Sequence, residues 1–184
     1  MSEYKNIIGK GVRFLSSNLD NDQAEGQIWY NSTDKVFRNV ISLSAWSAGA
    51  NLSTARNGIA SFGIQTSNVA AGGSPYPGVG TLVEEYNGTG WTAGTALPGN
   101  TGMGGAAGTE TAGLVFGGID DNPGNTNSIN STREYDGSSW TSGGNMGNER
   151  SQTSGFGTQT AAVVAAGFLS TTATTANSES YNGT

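Results

Sequence analysis

The densest run of oxygen-bearing side chains in this 184-residue sequence is Asp120-Asp121-Asn122-Pro123-Gly124-Asn125. Carboxylates and amides gathered in one loop suit a hard cation such as calcium. A calcium loop, however, spaces its ligands D-x-[DN]-x-[DN]-G and closes with a glutamate, and neither feature is present. The segment reads as a solvated loop tip, and no metal is expected. Paired acid–base work would need two converging carboxylates. Glu84, Glu85 and Glu134 are the candidates, but they sit beside Tyr86 and Tyr135 in runs of strand character, and they read as solvated structural residues. The chain has no His and no Cys. That removes imidazole and thiolate nucleophiles, imidazole metal sites and the commonest general base. The expectation is a protein that is not an enzyme and carries no cofactor.

The elements that carry these residues recur three times. From each of Trp46, Trp91 and Trp140 to the Gly of a G-x-[QE]-T motif (Gly63, Gly108, Gly157) is 17 residues, and 10 more lead to Gly73, Gly118 and Gly167. The step from there to Tyr86, Tyr135 and Tyr181 is 13, 17 and 14 residues. A fixed skeleton with one variable loop is a supersecondary unit used in series. In the first copy, residues 58–62, 68–71, 81–86 and 91–96 have strand character, and Gly and Asn break them into lengths too short for helices. Asn87-Gly88, Asp136-Gly137 and Asn182-Gly183 accept positive φ and read as hairpin turns. The three tryptophans are expected at equivalent, largely buried positions, each opening an outermost strand.

Residues 1–45 lie outside this pattern. The run Glu25-Gly26-Gln27-Ile28-Trp29-Tyr30-Asn31 turns at Ser32-Thr33-Asp34 and returns through Val36 and Phe37, which predicts a hairpin over 27–31 and 35–40; residues 10–16 read as a further short strand. A lone hairpin is marginal in water and is expected to dock on something larger. Charge divides the same way. Residues 1–38 balance five basic against five acidic side chains, whereas beyond them only Arg56, Arg133 and Arg150 oppose nine acids, for a net charge of −6. An acidic repeat region without basic clusters disfavours nucleic acid or an anionic membrane as partner. No apolar run reaches the roughly 20 residues of a membrane span, and membrane insertion is not expected.

The Gly pairs Gly72-Gly73 and Gly117-Gly118, the Tyr86/Trp91 and Tyr135/Trp140 pairs five residues apart, and the arginines Arg56 and Arg150 ahead of a first strand together resemble the kelch repeat. The third copy has Ala166 in place of the first Gly, and the second has Thr101 in the Arg position. The resemblance covers residues 46–184. It implies an all-β chain of kelch-like β-propeller blades: three four-stranded repeats at 46–90, 91–139 and 140–184, part of a longer propeller and preceded by the N-terminal β-hairpin attachment segment. Propellers usually close with four to eight blades, so further blades or a homo-oligomer are expected to complete the ring. The copper oxidases that share this type of propeller need Cys and His ligands, which this chain lacks. Asp136-Gly137-Ser138-Ser139-Trp140 resembles in part the sialidase Asp-box, which is itself a turn.

The segment containing Gln27-Ile28-Trp29-Tyr30-Asn31 is similar to a module near the start of phage tail-fibre and other virion structural proteins. That resemblance implies a non-enzymatic fibre, appendage or decoration component, assembled in the host cytoplasm, resident in the virion and attached to other virion proteins through Ile28, Trp29, Tyr30 and Phe37. The alternative is a cellular kelch-type adhesion or scaffold protein. A host surface glycan or protein would meet the variable loops, residues 74–80 and 120–127, where Ser74, Tyr76, Asp120, Asp121, Asn122 and Asn125 are the candidate binding residues.

Overall fold

A computed structural model describes residues 13–15, 28–39, 46, 48–74, 80–120, 127–169 and 173–183. The described residues are all β, with no helix, and the chain divides into two compact units, Met1–Ala48 and Gly49–Thr184.

The first unit holds a three-stranded sheet, β1 (Arg13–Leu15), β2 (Ile28–Asn31) and β3 (Val36–Asn39). The expected hairpin is present, with Asn31 facing Val36 across a four-residue turn, and β1 adds to β2 in parallel. Asn31 organises that turn: its side-chain oxygen accepts from the backbone N–H of Thr33 and of Asp34. This Asx geometry fixes a chain reversal without a tertiary contact. Lys35 takes φ 62° and donates its N–H to the Asn31 carbonyl.

The second unit is three sheets in series. The first repeat sheet is β4 (Ala60–Ile64), β5 (Ser67–Ala71), β6 (Val83–Tyr86) and β7 (Trp91–Ala93), antiparallel and in chain order. The second is β8 (Gly105–Thr109), β9 (Ala112–Phe116), β10 (Thr132–Tyr135) and β11 (Trp140–Ser142), with the same order. The third contains β12 (Ser154–Thr158), β13 (Ala161–Ala165) and β14 (Ser178–Tyr181). The first strands β4, β8 and β12 lie side by side, so the sheets stack face to face.

Each motif glycine has one mechanical task. Ile64 faces Ser67, Thr109 faces Ala112 and Thr158 faces Ala161, so the first hairpin of every sheet closes over two residues. One step back, Gly63, Gly108 and Gly157 take φ of 119°, 102° and 110°. A Cβ on Gly108 would be driven into the carbonyl oxygen of Ala112 on the facing strand. The constraint is steric and local, which is why that residue is glycine in all three copies.

Two cores separate the sheets. Phe62, Val69, Leu97, Val115 and Tyr135 pack between the first and second, with Trp140 beside them; Leu114, Phe116, Met146, Ala162 and Val164 pack between the second and third. Volume is exchanged across each contact. Phe62 lies over Gly113, and Phe116 lies against Gly105 and Gly155, positions where any Cβ would collide with the ring. Interiors this close to solid packing require such large-with-small pairing.

The tryptophans depart from expectation. Trp91 and Trp140 are equivalent: each opens the fourth strand of its sheet, packs on the preceding Tyr with ring centroids 5.0 and 4.6 Å apart, and donates its indole N–H to a carbonyl, of Ala50 or Thr95. Both are half-buried rather than largely buried. Trp46 is fully exposed and lies in no strand. Five residues before Trp46 the sequence has Ile41, where Trp91 and Trp140 have the tyrosine on which they pack.

Candidate functional site

The expected solvation of Glu84 is incorrect. Its side chain is almost wholly buried, 2.5 Å from the guanidinium of Arg56, whose side chain is completely buried. The Ser53 N–H donates to the same carboxylate at 2.8 Å. Burial by itself raises the Glu84 pKa, but the Ser53 N–H and the Arg56 guanidinium outweigh it, and the carboxyl ends below its ordinary value. In the third sheet Arg150 pairs with Glu179, and the Gly147 N–H donates to that carboxylate at 2.6 Å. The arginine ahead of the first strand is thus the buried partner of a glutamate two residues before the sheet's tyrosine.

The second repeat replaces this ion pair with a hydrogen bond. Thr101 stands where Arg56 and Arg150 stand, Arg133 where Glu84 and Glu179 stand, and Pro98 where Ser53 and Gly147 supply an N–H. Arg133 donates to the Thr101 hydroxyl at 3.0 Å. Proline, having no N–H, cannot point a donor at a guanidinium, which has no acceptor. Positions 98, 101 and 133 thus all depart from their counterparts in the other two repeats.

Beside Arg133 lies a cleft of about 370 Å³ lined by Asn100, Asp120, Asn130, Ser131, Arg133 and Glu149. Arg133 is half-buried there; burial pulls its pKa below the ordinary guanidinium value, opposed by the charge of Asp120. Gly99 leaves room for the guanidinium, since a Cβ there would lie 3.1 Å from Nη2. A permanently charged planar donor flanked by carboxylates and amides can hold a polar or anionic group by hydrogen bonds. Among the described residues no group of His, Cys, Asp and Glu is arranged to hold a metal ion.

Of the variable-loop candidates, Asp120 lines this cleft and Ser74 is half-buried in a bridge to Asn57. Tyr76, Asp121, Asn122 and Asn125 lie outside the described residues. In the N-terminal unit Ile28 and Phe37 are exposed, with Tyr30 edge-on to Phe37 at 5.2 Å. Trp29 is buried. Glu85 and Glu134, also read as solvated, are half-buried and serve the neighbouring sheet. Tyr135 donates its hydroxyl to Glu85, and Tyr181 donates to Glu134 at 2.5 Å. Asp136 forms a turn, accepting from the Ser138 and Ser139 N–H groups and hydroxyls; the Ser139 contacts, then those of Ser138, hold its carboxyl well below the usual range.

Sequence reasoning did not identify Arg133 as a site residue. The signal was present in the simultaneous departure of positions 98, 101 and 133 from their counterparts. No family model matches this chain, and no curated protein resembles it in sequence.

Proposed function

We propose that this protein is a non-enzymatic binding component whose repeat sheets are blades of a kelch-like propeller, displayed as part of a virion fibre, appendage or decoration structure. One observation carries the binding part. The three sheets share the order and hairpin registers of their first three strands, while their length varies between the second and third strands, and in the second sheet Asp120, at the start of that stretch, lines the cleft where the buried ion pair is replaced. Constant scaffold with variation at one edge is how repeat proteins build recognition surfaces. The ligand would present a polar or anionic group to Arg133, with Asp120 and Glu149 selecting against simple bulky anions.

The virion setting rests on the resemblance of the segment around Ile28-Trp29-Tyr30-Asn31 to virion modules and on the exposed Ile28 and Phe37. Mass spectrometry of purified particles tests it. The chain is expected among the structural proteins, and removal of residues 1–45 is expected to prevent incorporation. Absence from particles, together with localisation to a cell surface, would establish the adhesion or scaffold alternative instead. The binding surface is tested separately: Asp120→Ala with Arg133→Gln is expected to weaken attachment to the host or partner, and unchanged attachment would leave the cleft without a role.

A further inference from the structure

The cleft beside Arg133 differs chemically from the matching places in the other two repeats, and the differences fall on residues that line it. Counting back from the sheet tyrosine, Asn130, Ser131 and Arg133 stand where the first repeat has Thr81, Leu82 and Glu84. Ser131 is the informative one. Its carbonyl accepts from the Gly117 N–H at 3.0 Å, which ties its backbone to the residue after β9. Its hydroxyl is buried and has no hydrogen-bond partner among the described residues. A hydroxyl held out of water in that state costs free energy, and native structures seldom keep one without a reason. Leu82 at the same position of the first repeat shows that the place accepts an apolar side chain.

The other lining groups supply both halves of a hydrogen-bonding set. A guanidinium is a fork of N–H donors with no acceptor. That of Arg133 makes a single hydrogen bond among the described residues, from Nη1 to the Thr101 hydroxyl. Asn130 Nδ2 donates to the Met146 carbonyl at 3.1 Å, which fixes the amide and leaves Oδ1 as an acceptor. Asp120 and Glu149 add carboxylates, which at neutral pH only accept.

This set narrows the ligand. One positive and two negative side chains leave the described lining net negative, so a sulfate or phosphate would meet the carboxylates, and a cation would meet Arg133. A peptide brings side chains that want apolar and aromatic contacts, and Ile129 is the one apolar side chain in the described lining. A sugar ring suits what remains. Each of its hydroxyls donates and accepts at one atom, so a neighbouring pair can accept from Arg133 and Ser131 while donating to Asn130, Asp120 or Glu149. A volume of about 370 Å³ is at the lower end of the range for small-molecule sites.

We infer that the Arg133 cleft is a saccharide site, which takes a neutral sugar residue through two adjacent hydroxyls. The Arg133 guanidinium and the Ser131 hydroxyl donate to them, and Asn130 Oδ1 and the flanking carboxylates accept. The inference rests on the reading of this cleft as a binding surface and gives its ligand a chemical class.

Ser131 provides a test in which stability and binding answer differently. Ser131→Ala removes a hydroxyl with no protein partner, so this variant should melt no lower than the parent. Ser131→Leu installs the side chain of the first repeat. The isotope-labelled full chain is titrated, with magnetic resonance detection, against neutral methyl glycosides of glucose, galactose, mannose and N-acetylglucosamine. At least one is expected to shift the Ser131 amide and the Arg133 Nε–H saturably. Binding should weaken about tenfold in Ser131→Ala, the loss of one hydrogen bond, and vanish in Ser131→Leu. Methyl glucuronide and sulfate are the contrasting probes. If they shift these signals and no neutral glycoside does, the site is anionic, and the inference is overturned while the cleft keeps its role. If no probe shifts them although Asp120→Ala with Arg133→Gln weakens attachment, the partner is a protein surface and the inference again fails. No shift together with unchanged attachment ends both readings. Saturable shifts that survive in Ser131→Leu would place the sugar elsewhere and overturn the inference too.

Discussion

Arg56 and Glu84 show how a buried charge is tolerated in a chain with so few of them. Each is taken almost wholly out of water, at a cost that close pairing offsets, although the buried Arg56 Nε has no hydrogen-bond partner. Truncating one partner leaves the other buried and uncompensated, so Arg56→Ala is expected to cost about 3–5 kcal/mol by chemical denaturation. The second repeat offers a cleaner experiment. Thr101→Arg alone would set two guanidinium groups against each other, whereas Thr101→Arg with Arg133→Glu rebuilds the pair of the other sheets. The double variant is expected to be more stable than the sum of the singles predicts, by roughly 0.5–3 kcal/mol of coupling. Additive singles would show that positions 101 and 133 do not communicate.

The same pair sets an acid dependence. Glu84 binds its proton less tightly folded than unfolded. Its stabilising contribution is therefore present above the unfolded titration range and is lost as pH falls through the lower folded one. Thermal melts should show the parent losing stability on acidification below the ordinary glutamate range. Glu84→Gln, less stable at neutral pH, should lose less over that interval. At the alkaline end the sign reverses. Burial first, then the hydrogen bond to Glu85, raises the Tyr135 phenol well above its ordinary value, and burial and Glu134 raise that of Tyr181. Both phenols should ionise late in an ultraviolet titration, with stability retained until pH rises past the unfolded value.

At the scale of the element, the hairpins are where backbone geometry decides. Gly108→Ala meets both a φ of 102° and the Ala112 carbonyl, and is expected to destabilise by about 2 kcal/mol or more. Ala166 is the informative contrast. It occupies the place of Gly72 and Gly117 and adopts the same left-handed conformation, φ 57° against 67° and 60°. Ala166→Gly is therefore expected to stabilise by about 1 kcal/mol, as left-handed strain is relieved at the expense of unfolded-state entropy. A destabilising outcome in a melt would mean the strain is absorbed elsewhere.

These elements also show what was legible in the sequence. Turn residues and two-residue periodicity act locally, so the strands near 58–62, 68–71 and 91–96 lie within a few residues of β4, β5 and β7. What the sequence left hidden is set by partners distant along the chain. Alternation around Ile28 and Tyr30 does not say which face is covered, and the structure buries Trp29 and Asn31. Glu84 is polar by type and exposed by habit, yet its burial follows from an arginine 28 residues earlier. The repeated tryptophan suggests three equivalent indoles, but Trp46 lacks the tyrosine five residues earlier on which Trp91 and Trp140 pack, and it is exposed.

For the whole molecule, serial stacking makes stability position-dependent. Among the described repeat strands the sheet-to-sheet packing is between neighbours, so each sheet's protection depends on how many of its faces are covered. The second sheet is covered on both: Leu114 and Val115 point to opposite neighbours and are both fully buried. The third is covered on one. Four of the five residues of β12 are exposed or nearly so, against one in β8. Local opening should accordingly cost least at β12–β14 and most at β8–β10. Native-state hydrogen exchange on dilute chain is expected to show amides of β9 slowest and those of β12 fastest among the repeat strands. Equal protection of all three sheets in dilute solution would mean that cooperativity spreads across both interfaces, and the sheets would then open as one body.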